Sequence, residues 1–295
     1  VRDEVELRQL RYFLAVADER NFTRAAARLG MTQPALSRAI RALEKSVDAT
    51  LFLREHRGAE LTAAGRALAA EAGDIDSFTK AALARVTRLG GDSPHLRIAA
   101  LGCEIGWLEL LVRSYNERYP EEVPARAVFA NRGLQEDELR DGTADVALLR
   151  TPFDSRGVDS DLLWTDEHVV LVHEGHRFAD GTSVHSADLA GEAFPVWAEE
   201  AAAGRLAPVF EQYGLRPGPV VHDTAQYVGA VRLGQAIGGL PVPMLSGIPL
   251  DGIKALPLTG APPSEVHVAW LATATSPDVA RFVRHAVAQA LATTD

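Results

Sequence analysis

Between Asn21 and Arg41 the chain reads Phe22-Thr23-Arg24-Ala25-Ala26-Ala27-Arg28-Leu29, then Gly30-Met31, then Thr32-Gln33-Pro34-Ala35-Leu36-Ser37-Arg38-Ala39-Ile40-Arg41. Asn21 can cap a helix that begins at Phe22, because its side-chain oxygen accepts a bond from a first-turn N–H. Gly30 can end that helix in the left-handed conformation that other residues avoid. Thr32 can cap a second helix, with Pro34 in its first turn, where a missing N–H costs nothing. Leu36, Ile40 and Leu43 then recur at i, i+4 and i+7 as a buried stripe. Two short helices joined by a tight glycine turn make a helix-turn-helix, a unit whose second helix enters the major groove of DNA.

That stripe decides which residues face away. Gln33, Ser37 and Arg41 fall on one line at i, i+4 and i+8, with Pro34 and Arg38 beside it. Gln can read adenine and Arg guanine through paired hydrogen bonds. An isolated polar stripe is more often a solvated helix face; the short helix and glycine turn before this one favour base reading. Residues 51–61 read as a hairpin with Gly58 in its turn and Arg54, His56 and Arg57 near the tip. Such a wing would meet phosphate or the minor groove; a plain basic loop is the alternative.

Taken over the whole chain, the net charge of −10 opposes a nucleic-acid partner. Its distribution removes the conflict. Residues 1–90 carry 15 Lys/Arg against 12 Asp/Glu, and the remainder 15 against 28. A modest basic surface on one domain suffices for phosphate, and the acidic remainder should stay off the duplex.

From Ala63 to about Leu89 the chain is alanine-rich and predicts one helix of roughly 40 Å. Leu61, Leu68, Ile75, Ala82 and Leu89 recur every seven residues, with Ala72 and Val86 on a second line. A seam this long argues for pairing between two chains. Packing of the same face on the chain's own domain is the alternative. Gly90-Gly91-Asp92-Ser93-Pro94 reads as a linker.

Beyond it the period changes. Strands are expected at Leu96–Leu101, Ala125–Ala130, Asp145–Leu149, His168–Val172, Pro195–Ala198, Pro219–His222, Ile237–Val242 and Val266–Thr273. Helices are expected at Trp107–Tyr119, Leu134–Arg140, Leu206–Tyr213, Gln226–Leu233 and Val279–Leu291. Alternating strands and helices predict an α/β fold with a mostly parallel sheet.

Residues 7–66 resemble the winged helix-turn-helix domain of LysR-type transcriptional regulators. The resemblance rests on Leu10-Arg11-Tyr12-Phe13, Phe22-Thr23-Arg24-Ala25-Ala26, Thr32-Gln33-Pro34-Ala35-Leu36-Ser37-Arg38, Ile40-Arg41-Ala42-Leu43-Glu44, Leu51-Phe52, Arg54 and Leu61-Thr62-Ala63-Ala64-Gly65. Residues 95–291 resemble that family's effector-binding region, with weaker echoes at residues 140–147 and 233–243. The resemblance implies a DNA-binding domain over 1–62, in which Thr23, Arg24 and Thr32 join the contacts above. It implies a dimerisation helix and hinge over 63–90, and an effector-binding region of two lobes over 91–295. Lobe I would take 95–165 and 266–291, and lobe II 166–265. It further implies a homodimer or homotetramer, double-stranded DNA as partner, and a small-molecule effector between the lobes.

Ligands of open α/β sheets bind at the carboxyl ends of strands. The expected lining is therefore Gly102, Cys103 and Glu104, then Arg132, then Thr151, Pro152 and Phe153, with Trp197, Asp223, Thr224 and Gln226 from lobe II. An organic acid is the expected effector class, its anionic group near Cys103, Arg132 and Thr224 and its apolar part on Trp197 or Phe153. Glu104 opposes an anion there, whereas Arg132 favours one or pairs with Glu104 and cancels it.

Other chemistry finds little support. The one cysteine, Cys103, excludes an intrachain disulfide and suits the cytoplasm. It reads as a small pocket or core residue rather than a redox sensor. His173-Glu174-Gly175-His176 lies at a strand end without helical i, i+4 spacing, so no metal is expected. No cofactor motif, nucleophile elbow, signal segment or long apolar span is expected. The rival reading, an α/β enzyme or transport-type binding protein with an appended helix-turn-helix, would need a catalytic constellation or export signal.

Overall fold

The computed structural model describes residues 5–55, 58–89, 94–130, 135–198, 201 and 207–294. The chain divides into two compact units, residues 1–91 and, apart from 140–143, residues 92–295.

The first unit runs α1 (Leu7–Glu19), α2 (Phe22–Arg28), α3 (Gln33–Val47), β1 (Phe52–Glu55), β2 (Gly58–Leu61) and α4 (Ala63–Leu89). Asn21 opens α2, its Oδ1 accepting from the N–H of Thr23 and Arg24 at 2.9 and 3.1 Å. Gly30 follows α2 with φ +65°, the left-handed region. Thr32 stands at the cap of α3 but makes no side-chain bond there. Pro34 holds the second helical position and so removes one of the N–H groups a cap would bind.

The core of this unit is made by Phe13, Val16, Ala25, Leu36, Ile40, Leu43, Leu51 and Phe52, none more than 2% exposed. Phe52 brings Phe13 and Phe22 together, with ring centroids 5.3 and 5.6 Å from its own. Burying each such large side chain contributes roughly 1.5–3 kcal/mol. In α1 the buried face is Leu10, Phe13 and Val16, and Leu7 is exposed. β1 and β2 pair antiparallel from Phe52↔Leu61 to Glu55↔Gly58. Gly58 is therefore a strand residue paired with Glu55, not the expected turn residue.

Three polar contacts tie together α3, the start of β1 and the entry to α4. Glu44 accepts from the N–H of Leu51 at 2.8 Å. Thr62 Oγ1 donates to the Thr50 carbonyl at 2.7 Å and accepts from Gly65 N–H at 2.9 Å. Gly65 is required by space: a Cβ there would lie 2.2 Å from the Leu51 carbonyl oxygen. The heptad seam is consequently divided. Leu61, Leu68 and Ala72 pack into the unit's own core, whereas Ile75 and Val86 of the seam are exposed, as are Phe78 and Leu83 outside it. Arg11 of α1 pairs with Asp76 of α4, and Lys80 pairs with the same carboxylate from one turn further along α4. Burial pushes the Asp76 carboxyl up, but these two hydrogen-bonded cations outweigh it and hold it below its usual value.

The second unit has two lobes. The first carries a five-stranded sheet of order β4-β3-β5-β13-β6, made by β3 (Leu96–Ala100), β4 (Ala125–Phe129), β5 (Val146–Arg150), β6 (Val158–Asp166) and β13 (Ser264–Leu271). It packs against α5 (Ile105–Arg118) and α9 (Pro277–Thr294); α6 (Gln135–Arg140) precedes β5. The second lobe carries β7 (His168–His173), β8 (Val184–His185), β11 (Gly238–Pro241) and β12 (Ile253–Thr259) in the order β11-β7-β12-β8. Beside these lie the parallel pair β9 (Ala193–Trp197) and β10 (Arg216–Val221), with α7 (Ala207–Tyr213) and α8 (Thr224–Arg232). The chain crosses between lobes twice, from β6 to β7 and from β12 to β13.

Both sheets are mixed rather than mostly parallel. β3 is parallel to β4 and β5, but β13 is antiparallel to β5 and β6, and β7 is antiparallel to β11 and β12. The strands β6, β8 and β12 were absent from the sequence expectation. In β6, Val158-Asp159-Ser160-Asp161-Leu162-Leu163-Trp164-Thr165-Asp166, only Val158 and Leu163 are buried. A strand so polar shows no apolar run.

Candidate functional site

The helix-turn-helix face comes first. Gln33, Pro34, Arg38 and Arg41 are exposed on α3, and Arg38 and Arg41 are unpaired among the described residues. Thr23 and Arg24 are exposed on α2, and Thr32 is exposed before α3. Ser37 departs from its expected place. It is 5% exposed and accepts a hydrogen bond from Gln33 Nε2 at 2.8 Å. One helical turn separates the two, so the buried hydroxyl braces the exposed amide from beneath. Arg24 is drawn back onto the end of α1, its Nε 3.3 Å from Glu19. His56 and Arg57 lie outside the described residues, as does the side chain of Arg54, whose backbone pairs with Ala59.

In the second unit a cleft of about 590 Å³ opens between the lobes. One wall is the start of α5 with the turn before it: Gly102, Ile105, Gly106, Trp107 and Leu110. The other is Thr224, at the start of α8, with Pro243, Met244, Ser246, Gly247 and Ile248 from the turn after β11. The volume falls within the range of small-molecule sites. Trp107 stacks on Trp164 of β6, with centroids 4.3 Å apart and planes 25° from parallel.

Of the expected effector residues that are described, Gly102 and Thr224 line this cleft. The other described ones make contacts elsewhere, for physical reasons. Glu104 is 2% exposed and accepts from Arg150 Nε at 3.1 Å instead of facing a ligand. The same guanidinium donates to Asp166 at 2.8 Å and to Ser264 Oγ at 2.9 Å. A carboxylate buried this deeply needs a cation, and Arg150 at the end of β5 supplies it. Because Asp166 ends β6 and Ser264 begins β13, the cluster sits where the chain crosses between lobes. His168 lies just beyond it; burial pushes its imidazole down from the usual value, and the Arg150 charge adds to this.

Thr151 exchanges hydrogen bonds with the Glu265 backbone and precedes a cis peptide bond to Pro152. Phe153 meets His267 edge-on within the first lobe. Trp197 stacks on Tyr227 at 5.3 Å as part of the second lobe's core. Asp223 caps α8 by accepting from Gln226 N–H, and the Gln226 side chain accepts from His222 N–H. Arg132 and the Cys103 side chain lie outside the described residues. Ile105, at the end of the expected segment 102–105, also lines the cleft, whereas sequence reasoning missed Gly106, Trp107, Leu110 and the segment 243–248. Their signal was an apolar run at the first turn of α5, where a solvated helix start is normally polar. Among the described residues no group of three metal-ligating side chains occurs, and no helix is long and apolar enough to cross a membrane.

A helix-turn-helix unit followed by a two-lobed unit with a small-molecule cleft defines a ligand-responsive DNA-binding regulator. Residues 7–66 match the bacterial regulatory helix-turn-helix proteins of the lysR family, and residues 89–291 match the LysR substrate binding domain. The transcriptional regulator YnfL of Escherichia coli (strain K12) is 32% identical over 283 residues, spanning 90% of this chain and 91% of its own. The Hca operon transcriptional activator HcaR of the same strain is 30% identical over 286 residues, spanning 95% and 96%. The structure of full-length CbnR complexed with its target DNA aligns with 97% of this chain and 100% of its own, at 27% identity and a TM-score of 0.51. The chain belongs to the LysR family of transcriptional regulators.

Proposed function

We propose that this regulator reads its operator through Gln33, Arg38 and Arg41 of α3. In this reading Thr23, Arg24, Thr32 and Pro34 support the helix on the phosphates, and Arg54, His56 and Arg57 form the wing contact. The observation that carries it is the pair of exposed guanidiniums on α3, unpaired among the described residues, beside a glutamine whose amide is braced by a buried serine. Residues 63–90 pair two chains into a homodimer or homotetramer. The apolar side chains of Ile75, Phe78, Leu83 and Val86, exposed along one helix, support this assignment. Residues 91–295 bind the effector in the interlobe cleft, and the effector acts by favouring one arrangement of the assembly over another. The protein performs no catalysis, and its action on DNA places it in the cytoplasm.

The test uses a DNA sequence selected by the protein from a random pool. Arg38→Ala should lose roughly 5–100-fold on that sequence through one base contact, and far less on random DNA. Equal losses on both would remove Arg38 from base reading.

A further inference from the structure

The two walls of the cleft are fastened to neighbouring residues of one strand connection. On the first lobe, Glu104 stands between Gly102 and Ile105, which both line the cleft. Its carboxylate accepts from Arg150 Nε at 3.1 Å, and Nη1 of the same guanidinium donates to Asp166 at 2.8 Å and to Ser264 Oγ at 2.9 Å. Asp166 is the last residue of β6 and Ser264 the first of β13, and the two are paired in register. Arg150 pairs with Val266 from the end of β5, so its side chain reaches diagonally over β13 to β6. One side chain thus ties the α5 wall to both strands that lead between the lobes. On the second lobe, Val242 opens the turn that supplies Pro243, Met244, Ser246 and Gly247 to the cleft. Its N–H donates at 2.8 Å to the carbonyl of Glu167, the one residue between β6 and β7. This bond extends the β11–β7 ladder one rung past Pro241↔His168. Asp166 and Glu167 are consecutive, so their Cα atoms are held about 3.8 Å apart. A second tie runs alongside the first. Trp107 of the α5 wall stacks on Trp164 at 4.3 Å, and Trp164 and Asp166 point to the same face of β6.

We propose that Arg150 is a positioning residue for the effector cleft: through Glu104 and Asp166 it hangs the α5 wall on the β6–β7 connection, to whose next residue the opposite wall is bonded, and this connection is the pivot about which the walls part and close. The inference rests on the reading of the cleft as the effector site. Glu104 and Arg150 are 2% and 16% exposed, so water competes little for the bond between them. A packed, hydrogen-bonded link of this kind holds discrete arrangements and does not yield continuously. A ligand that binds one spacing of the walls better than another therefore passes that preference to the crossover strands.

The experiment is hydrogen–deuterium exchange of the full-length protein, read by mass spectrometry without added ligand. The triple variant Arg150→Met with Glu104→Gln and Asp166→Asn removes the bridge and strands no charge. In it residues 102–108 and 242–248 are expected to exchange roughly threefold faster or more, while β3 and the centre of β7 stay within about twofold of wild type. A merely structural role would speed all of these segments together. Asp166→Asn alone, at a partly exposed site, should speed both walls about twofold and gives an independent reading should the triple variant fail to fold. Wild-type exchange in both walls would overturn the proposal. Faster exchange in the α5 wall alone would overturn it as well, because the opposite wall would then be independent of the bridge. Uniformly faster exchange in both variants would reduce Arg150 to general stability and overturn it too. No ligand enters the measurement, so each result stands apart from the assignment of the effector to this cleft.

Discussion

Replacing Arg150 by Met should be among the most damaging single changes in the second unit. Met keeps much of the side-chain length and removes the charge. In the native chain the guanidinium donates to Glu104 at 3.1 Å, Asp166 at 2.8 Å and Ser264 at 2.9 Å; Glu104 and Ser264 are buried and Asp166 is partly buried. Both carboxylates would lose that cation, Glu104 where water cannot replace it and Asp166 where water reaches only in part. Removing one partner of a buried ion pair typically costs about 3–5 kcal/mol, because the other charge stays buried. For a unit of roughly 200 residues, about 2–4 °C per kcal/mol translates this into a fall in Tm of about 6–20 °C. The assay is thermal unfolding of the full chain followed by circular dichroism at pH 7, reading the transition of the second unit. A triple variant, Arg150→Met with Glu104→Gln and Asp166→Asn, should recover most of the loss, since it removes the stranded charges as well. A single variant within about 1 kcal/mol of wild type would refute the buried cluster. A triple variant as unstable as the single one would show that packing, not charge, sets the cost.

Ser37→Ala should leave stability within about 1 kcal/mol, because the exposed Gln33 amide regains water. It should nevertheless lower discrimination at one base position by roughly 2–10-fold in competition binding, because Gln33 recovers rotamer freedom worth about 1 kcal/mol. Gly65→Ala should destabilise the first unit by about 3 kcal/mol in urea titration, since the added methyl meets the Leu51 carbonyl and α4 must shift. The Asp76 carboxyl is held below its usual value, so its contribution is complete above about pH 4 and is lost as pH falls through the lowered folded value; Asp76→Asn should be less stable at pH 7 and lose less on acidification. His168 is also lowered, so its contribution is present above about pH 6.5 and fades as acid protonates the imidazole; His168→Gln should flatten the stability profile below that pH.

The helix-turn-helix could be read from residues alone because every signal in it is local. The Asn21 cap, the left-handed Gly30 and the i, i+4, i+7 stripe of Leu36, Ile40 and Leu43 each act within one or two helical turns, and all appear in the fold. The strands β3 and β5 announced themselves by apolar runs, as buried sheet strands do. The two-lobed α/β architecture followed from family resemblance and alternation together. What escaped was set at long range. Whether Ser37 faces DNA or the core depends on the neighbours packed around α3. Whether the heptad seam on α4 is core or free surface depends on how far the first unit reaches along it, and the answer divides at Ala72. Glu104 could not be assigned to its place, because Arg150 is 46 residues away in sequence and no local rule links them. The polar crossover strand β6 was invisible for the same reason: its hydrogen bonds come from β13, about a hundred residues later. The cleft is the clearest case. Its walls come from α5, α8 and the turn after β11, and only folding two lobes onto one another decides that Trp107, rather than Trp197, lines it.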